Sequence, residues 1–187
     1  MSTHRIHEAK HTVFFITFTC FKWLPLIDLS NSYAAFSKWF EYLKSREAFV
    51  LGYVIMPNHF HALLFLDEKC DKNLNQLVAN GKRFLAYDIV KGLEVGEHQK
   101  ILNFLSNSVA NKESLKGKKH QVFVSSFDAK ECFNRKMVET KLDYIHHNPV
   151  SGKWHLCEDW IDYPYSSAGF YESNQLNPWI THYMDVI

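Results

Sequence analysis

Pro57-Asn58-His59-Phe60-His61-Ala62-Leu63-Leu64-Phe65-Leu66 reads as a β-strand entered from a turn. Successive side chains of a strand point to opposite faces. His59, His61, Leu63 and Phe65 therefore share one face, and Phe60, Ala62, Leu64 and Leu66 fill the other. Two imidazoles are held side by side at the polar end of an apolar run. Neutral imidazole is a common ligand of divalent metals, and a strand fixes its position better than a loop does. Taken alone, a His-x-His pair equally describes two surface histidines beside a hairpin turn.

A second motif lies downstream, Lys141-Leu142-Asp143-Tyr144-Ile145-His146-His147-Asn148-Pro149-Val150. The segment from Cys132 to His147 has no Gly or Pro, and Val138, Leu142 and Ile145 recur at helical spacing. It predicts a helix with those three as its buried stripe. Lys141, Tyr144 and Asn148 fall on a neighbouring face, three and four residues apart. Pro149 disfavours helical geometry at Asn148, which predicts the helix end there. Tyr144 is then in the last turn with Asn148 at the cap, an arrangement that packing and capping alone also explain. Adjacent helical residues diverge by about 100°, so His146 and His147 do not both face one site with Tyr144.

Working outward, Val13 to Phe21 predicts a strand, rich in aromatic and β-branched residues. Asn31 or Ser32 could cap a helix to about Arg46, with Phe36, Phe40 and Leu43 buried. Phe49 to Met56 predicts a strand paired with His59 to Leu66. Asn73 to Val90 predicts a helix with Leu74, Leu77, Phe84 and Leu85 in the core. Residues 91 to 120 read as a loop-rich insertion around a short apolar segment, Ile101 to Leu105, that could form a small helix, and Gln121 to Ser125 as a fourth strand. Strand-helix-strand-strand-helix-strand is the order of an α+β, ferredoxin-like split βαβ fold.

The chain of 187 residues fits one domain, with a polar arm at 1–12 and a C-terminal extension at 150–187. Hydrophobic residues at 47% and aromatics at 16% exclude disorder. A net charge of +1 is low for a DNA-binding protein, so any such surface must be local. The cysteines, Cys20, Cys70, Cys132 and Cys157, form no Cys-x-x-Cys pair and read as reduced thiols of a cytoplasmic protein. No signal peptide is visible, and Val13 to Phe21 is too short to span a bilayer.

His59-Phe60-His61 followed by Tyr144-Ile145-His146-His147-Asn148-Pro149-Val150 resembles the single-tyrosine HUH transposases, in the branch associated with repetitive extragenic palindromes (REP). Tyr163-Pro164-Tyr165-Ser166-Ser167 resembles that family's aromatic-Pro-aromatic-Ser-Ser element, and Val13 to Thr19 its first strand. The likeness spans about residues 10 to 171. Two departures bear on which DNA is recognised. Gln121 to Ser126 lacks a Trp-Gln pair common in the family, and Ser151-Gly152-Lys153 stands where a basic residue commonly follows Pro-Val.

The resemblance implies an HUH endonuclease fold with a mainly antiparallel sheet and helices packed on it. It implies a single-strand nicking and strand-transfer enzyme acting on hairpin-forming DNA, with Tyr144 as nucleophile and a covalent 5′-phosphotyrosine intermediate. His59 and His61 would hold Mg²⁺ or Mn²⁺, with Asn148 as a further ligand. Phenols ionise near pH ~10 in water, so a tyrosine nucleophile needs help from a metal, a cation such as Lys141, or a base. Arg5, Lys10, Lys116, Lys118, Lys119 and Lys141 are the candidate DNA contacts, and Trp154, Trp160, Tyr163 and Tyr165 candidate base-stacking or packing residues. Relatives of this kind act as monomers or homodimers. A catalytically silent binder of structured DNA on the same fold is the alternative.

Overall fold

The computed structural model describes residues 6–152 and 154–187. Four strands form one sheet in the order β2-β3-β1-β4: β1 (Thr12–Thr19), β2 (Ala48–Ile55), β3 (His59–Leu66) and β4 (Asp128–Cys132). All neighbouring pairs are antiparallel. β1 and β2 are thus parallel with β3 between them, which is the split βαβ arrangement expected from the order of elements.

β2 and β3 are apolar along almost their whole length because helices cover both faces of the sheet. On one face lie α1 (Leu26–Leu29), α2 (Ala35–Lys44) and α3 (Leu74–Val95). Phe36, Trp39, Phe40 and Leu43 of α2 pack there with Phe60, Ala62, Leu64 and Leu66 of β3. The helices α4 (Gln99–Asn107) and α5 (Asn111–Ser114) follow α3. The opposite face carries α6 (Arg135–His147), and a short α7 (Ala168–Glu172) comes later. Val138, Leu142 and Ile145 of α6 bury against Leu63 and Phe65, as the helical spacing predicts. The two faces of β3 therefore divide as the alternation requires.

α6 crosses β2 at Gly52. A Cβ there would stand 2.3 Å from Leu142 Cδ2 and force that side chain aside, so glycine suits this close approach. The same residue follows a register shift in β2. The outer edge of β2 is covered by the C-terminal segment: Ile55 N–H donates to the Tyr165 carbonyl, Ser167 N–H to that of Tyr53, and Thr181 N–H to that of Val50. β4, at the other edge, is short and exposes the charged side chains of Asp128 and Lys130, which discourages further strand pairing.

Several local expectations are corrected. Gln121 to Ser125 forms only an isolated bridge, Cys20 with Phe123, and the fourth strand is Asp128–Cys132. Val122 and Phe123 plug the core from a loop, while the true strand is polar because it lies at an edge. α2 starts at Ala35 rather than at an Asn31 or Ser32 cap. Asn31 has φ +50°, and the Ser32 hydroxyl is hydrogen-bonded to that of Ser30 at 2.7 Å. The 91–120 stretch is mostly helical, since α3 continues to Val95 before α4 and α5. Phe84 is 50% exposed on α3 and outside the core. Finally, Cys132 closes β4 and α6 begins after an Asn134 cap. Asn148 keeps right-handed helical angles (φ −57°, ψ −40°), and Pro149 sits inside a 3-10 turn, Asn148–Val150. The helix ends with Asn148 as its C-cap, as expected, but Pro149 tightens that end instead of extending the residue before it.

Among the described residues no helix is long and apolar enough to cross a membrane. The four cysteines are free thiols.

Candidate active site

β3 places His59 and His61 on the α6 face, their ring centroids 4.8 Å apart. They are 6% and 5% exposed. Burial pushes the His59 imidazole down to about 4, and a hydrogen bond with the Asn148 side chain offsets part of that. Burial first, then the neighbouring His59 and Lys141, pushes His61 down to about 3. Both rings are therefore neutral at pH 7 and have a lone pair to offer.

Each ring is oriented by a residue not singled out from the sequence. Asn58 Nδ2 donates to the Trp23 carbonyl at 3.0 Å, which turns its Oδ1 towards His59 Nδ1 at 2.6 Å. The His59 Nδ1–H thus donates to Asn58, which leaves Nε2 as the ring nitrogen without a proton, on the side of Asn148. The Thr17 hydroxyl holds His61 Nδ1 at 2.6 Å. Thr17 stands directly opposite His61 in the β1–β3 register, and Thr19 opposite His59. The His-x-His motif points to this pair of rings, but their supports depend on strand register and on a turn that folds back from another part of the chain.

Tyr144 comes from α6 on the same face. Its ring centroid lies 5.2 Å from that of His61 and 5.8 Å from that of Phe15. Phe15 in turn stacks on His61 at 5.6 Å. Tyr144 is 47% exposed, so the site opens to solvent on the tyrosine side. Lys141, one turn earlier, sets its ammonium 4.4 Å from the Phe15 ring centre and 5.4 Å from that of Tyr144. His59, His61, Tyr144, Asn148 and Lys141 thus gather at one end of the sheet. Trp23 and Trp154 border His59 at 5.9 and 6.4 Å.

Among the described residues no cluster of three or more His, Cys, Asp or Glu exists to hold a metal. The donor set is instead two oriented neutral imidazoles and the Asn148 amide beside His59. That set fits a divalent cation that keeps further positions for water or phosphate oxygens.

Other candidates lie elsewhere. His146 is buried, with its Nε2 2.9 Å from the Ser167 hydroxyl, and His147 bonds back to the Asp143 carbonyl at 3.0 Å. Neither joins the site, consistent with their angular offset on α6. Lys10 donates to the Cys70 carbonyl at 2.7 Å and to that of Lys72, tying the arm to the β3–α3 loop. Arg5 lies outside the described residues. Lys116, paired with Glu113 at 3.7 Å, and Lys119 are exposed, and Lys118 is half-buried. Their loop leads into residues 121–124, which join the histidine end of β1 through Phe21 N–H to the Val122 carbonyl and Val124 N–H to that of Thr19. Of the four aromatics, Tyr163 is buried with its hydroxyl on the Ile55 carbonyl, Tyr165 stacks on Tyr33 at 3.7 Å, and Trp160 packs on His147. Only Trp154 reaches the site.

The antiparallel four-stranded sheet with helices packed on it is a fold this chain shares with a solved tyrosine transposase. A solved structure of a REP-associated tyrosine transposase bound to a REP hairpin is similar to this chain. The TM-score is 0.61 over 97% of this chain and 91% of that one, at 17% identity, a likeness that establishes the shared fold. No protein-family model and no curated protein matches the sequence.

Proposed function

We propose that this protein nicks and rejoins single-stranded DNA beside a hairpin, with Tyr144 as the nucleophile. The observation that carries the reading is the Tyr144 ring 5.2 Å from the His61 ring, two groups distant in sequence that only this fold unites. The shared fold with a transposase bound to a REP hairpin supports a hairpin substrate.

The Tyr144 oxygen attacks the scissile phosphorus. The bond from phosphorus to the 3′ oxygen breaks, and that oxygen takes up a proton and leaves as a free 3′-OH. The 5′ phosphate remains on the tyrosine. A second 3′-OH then attacks the phosphotyrosine, displaces the phenol and restores a phosphodiester. Each step exchanges one ester for another, so bond energy is conserved between cut and rejoin. Mg²⁺ or Mn²⁺ held by His59, His61 and Asn148 would supply a Lewis acid for a non-bridging phosphate oxygen. Lys141, its ammonium 5.4 Å from the Tyr144 ring centre, offers positive charge to the docked phosphate. Phe15 packs edge-on against the Tyr144 ring.

The test is incubation of a labelled hairpin bearing a single-stranded flank with the protein and Mn²⁺, resolved on a denaturing gel. A covalent adduct is expected, lost in Tyr144→Phe and in His61→Ala. Adduct from Tyr144→Phe overturns the assignment of the nucleophile. Hairpin binding without cleavage by the unmodified protein turns the reading into a structured-DNA binder.

A further inference from the structure

The Phe21–Trp23 turn between β1 and α1 is strained and exposed beside the site. Lys22 and Trp23 both lie in the left-handed region, at φ +55° and +57°. Two consecutive non-glycine residues there are costly, above all for a bulky side chain. Part of the reason is local: the Trp23 carbonyl receives the Asn58 Nδ2–H and so anchors the amide that orients His59. Any residue offers that carbonyl. It does not explain the indole, which is 62% exposed although its ring centre is 5.9 Å from that of His59.

The neighbours continue the pattern away from the histidines. Lys22 is exposed, with its ammonium 5.9 Å from the Phe21 ring centre. Phe21 lies 6.1 Å from Phe104, itself 45% exposed. Exposed Trp23 and Phe104 rings, joined by half-buried Phe21 and flanked by a cation, have the composition of surfaces that stack unpaired bases and follow their backbone. A base in a duplex has both faces covered and cannot stack on such a ring, so the surface selects single strands.

We infer that the Phe21–Trp23 turn docks the single-stranded flank of the substrate, with the Trp23 indole stacking on the unpaired base next to the scissile phosphate. This rests on the proposed DNA chemistry at Tyr144, from which it is separable by experiment. Lys22 contacts the backbone of the same flank, and Phe21 and Phe104 extend the track.

The experiment measures binding of a hairpin with a single-stranded flank in EDTA, where no adduct is needed for a signal. The unmodified protein, Trp23→Ala and Trp23→Phe are each titrated against intact flanks and flanks with an abasic site moved one position at a time. Trp23→Ala is expected to weaken binding of the intact flank by roughly 5- to 150-fold, the worth of one base–aromatic stack. Trp23→Phe should recover most of that. At one flank position the abasic site should cost the unmodified protein a similar factor, and Trp23→Ala should then add nothing. A Trp23→Ala loss of equal size on every abasic flank shows that the residue acts only through Asn58 and His59, and overturns the inference. Undiminished binding by Trp23→Ala overturns it too. Absence of a covalent adduct in the Mn²⁺ assay leaves a positive binding cycle standing, and a negative cycle leaves the Tyr144 chemistry standing.

Discussion

Replacing Asn58 with alanine is expected to weaken metal binding while sparing the fold. Asn58 is 1% exposed and its side chain makes two hydrogen bonds, to the Trp23 carbonyl at 3.0 Å and to His59 Nδ1 at 2.6 Å. Alanine strands one carbonyl and one ring N–H, each costing about 1–3 kcal/mol when buried. The His59 side of the site borders solvent near exposed Trp23, so water recovers part of this, and a net loss of about 2–3 kcal/mol follows. That is survivable for a domain of typical stability. The functional effect is larger in proportion. With its orienting partner gone, His59 is free to turn and to change tautomer, which costs about 10–100-fold in metal affinity at comparable sites. The assay is Mn²⁺ titration, by calorimetry and by the Mn²⁺ concentration for half-maximal adduct, with a urea melt as control. Asn58→Asp keeps the acceptor for His59 Nδ1 but places a carboxylate oxygen against the Trp23 carbonyl. It should retain metal affinity better than alanine while losing stability. An unchanged Mn²⁺ midpoint in Asn58→Ala, in a protein that still melts cooperatively, refutes the role given to this amide.

Three further outcomes are expected. Stability should fall steeply in mild acid, because buried His59 and His146 are held down to about 4 and His61 to about 3. These groups favour the folded state fully above the ordinary histidine value of about 6.5 and lose that contribution as pH drops towards 4, at up to about 1.4 kcal/mol per pH unit each; urea midpoints that stay flat from pH 7 to 4.5 would contradict it. Gly81→Ala should destabilise by about 2–3 kcal/mol despite alanine's better helix propensity, since its Cβ would lie 2.2 Å from Trp39 Cε2, a ring held by its own hydrogen bond to the Leu77 carbonyl; a raised urea midpoint would show that the ring can yield. Changing Lys116, Lys118 and Lys119 to glutamine should reduce the salt dependence of hairpin binding, by a slope of about 0.7–0.9 per lost phosphate contact. An identical slope would place the DNA on another surface.

Much of the site was legible because its parts follow local rules. Side-chain alternation on β3 put His59 and His61 on one face, and the structure keeps that strand at His59–Leu66. The stripe of Val138, Leu142 and Ile145 turned Tyr144 and Lys141 to a common side of α6. The order of elements sufficed for the split βαβ sheet. What these periodicities cannot carry is which distant surfaces meet. That Tyr144 reaches His61 depends on α6 crossing the sheet where Gly52 lets it sink onto β2. That Thr17 and Asn58 aim the two imidazoles depends on strand register and on the Trp23 carbonyl. The fourth strand escaped for the same reason: Asp128–Cys132 lies at an edge, where hydrogen bonds to β1 replace the apolar alternation by which a strand is recognised. Local periodicity therefore determined the elements and the faces their side chains share, while long-range pairing decided which of those faces meet and so where the site is built.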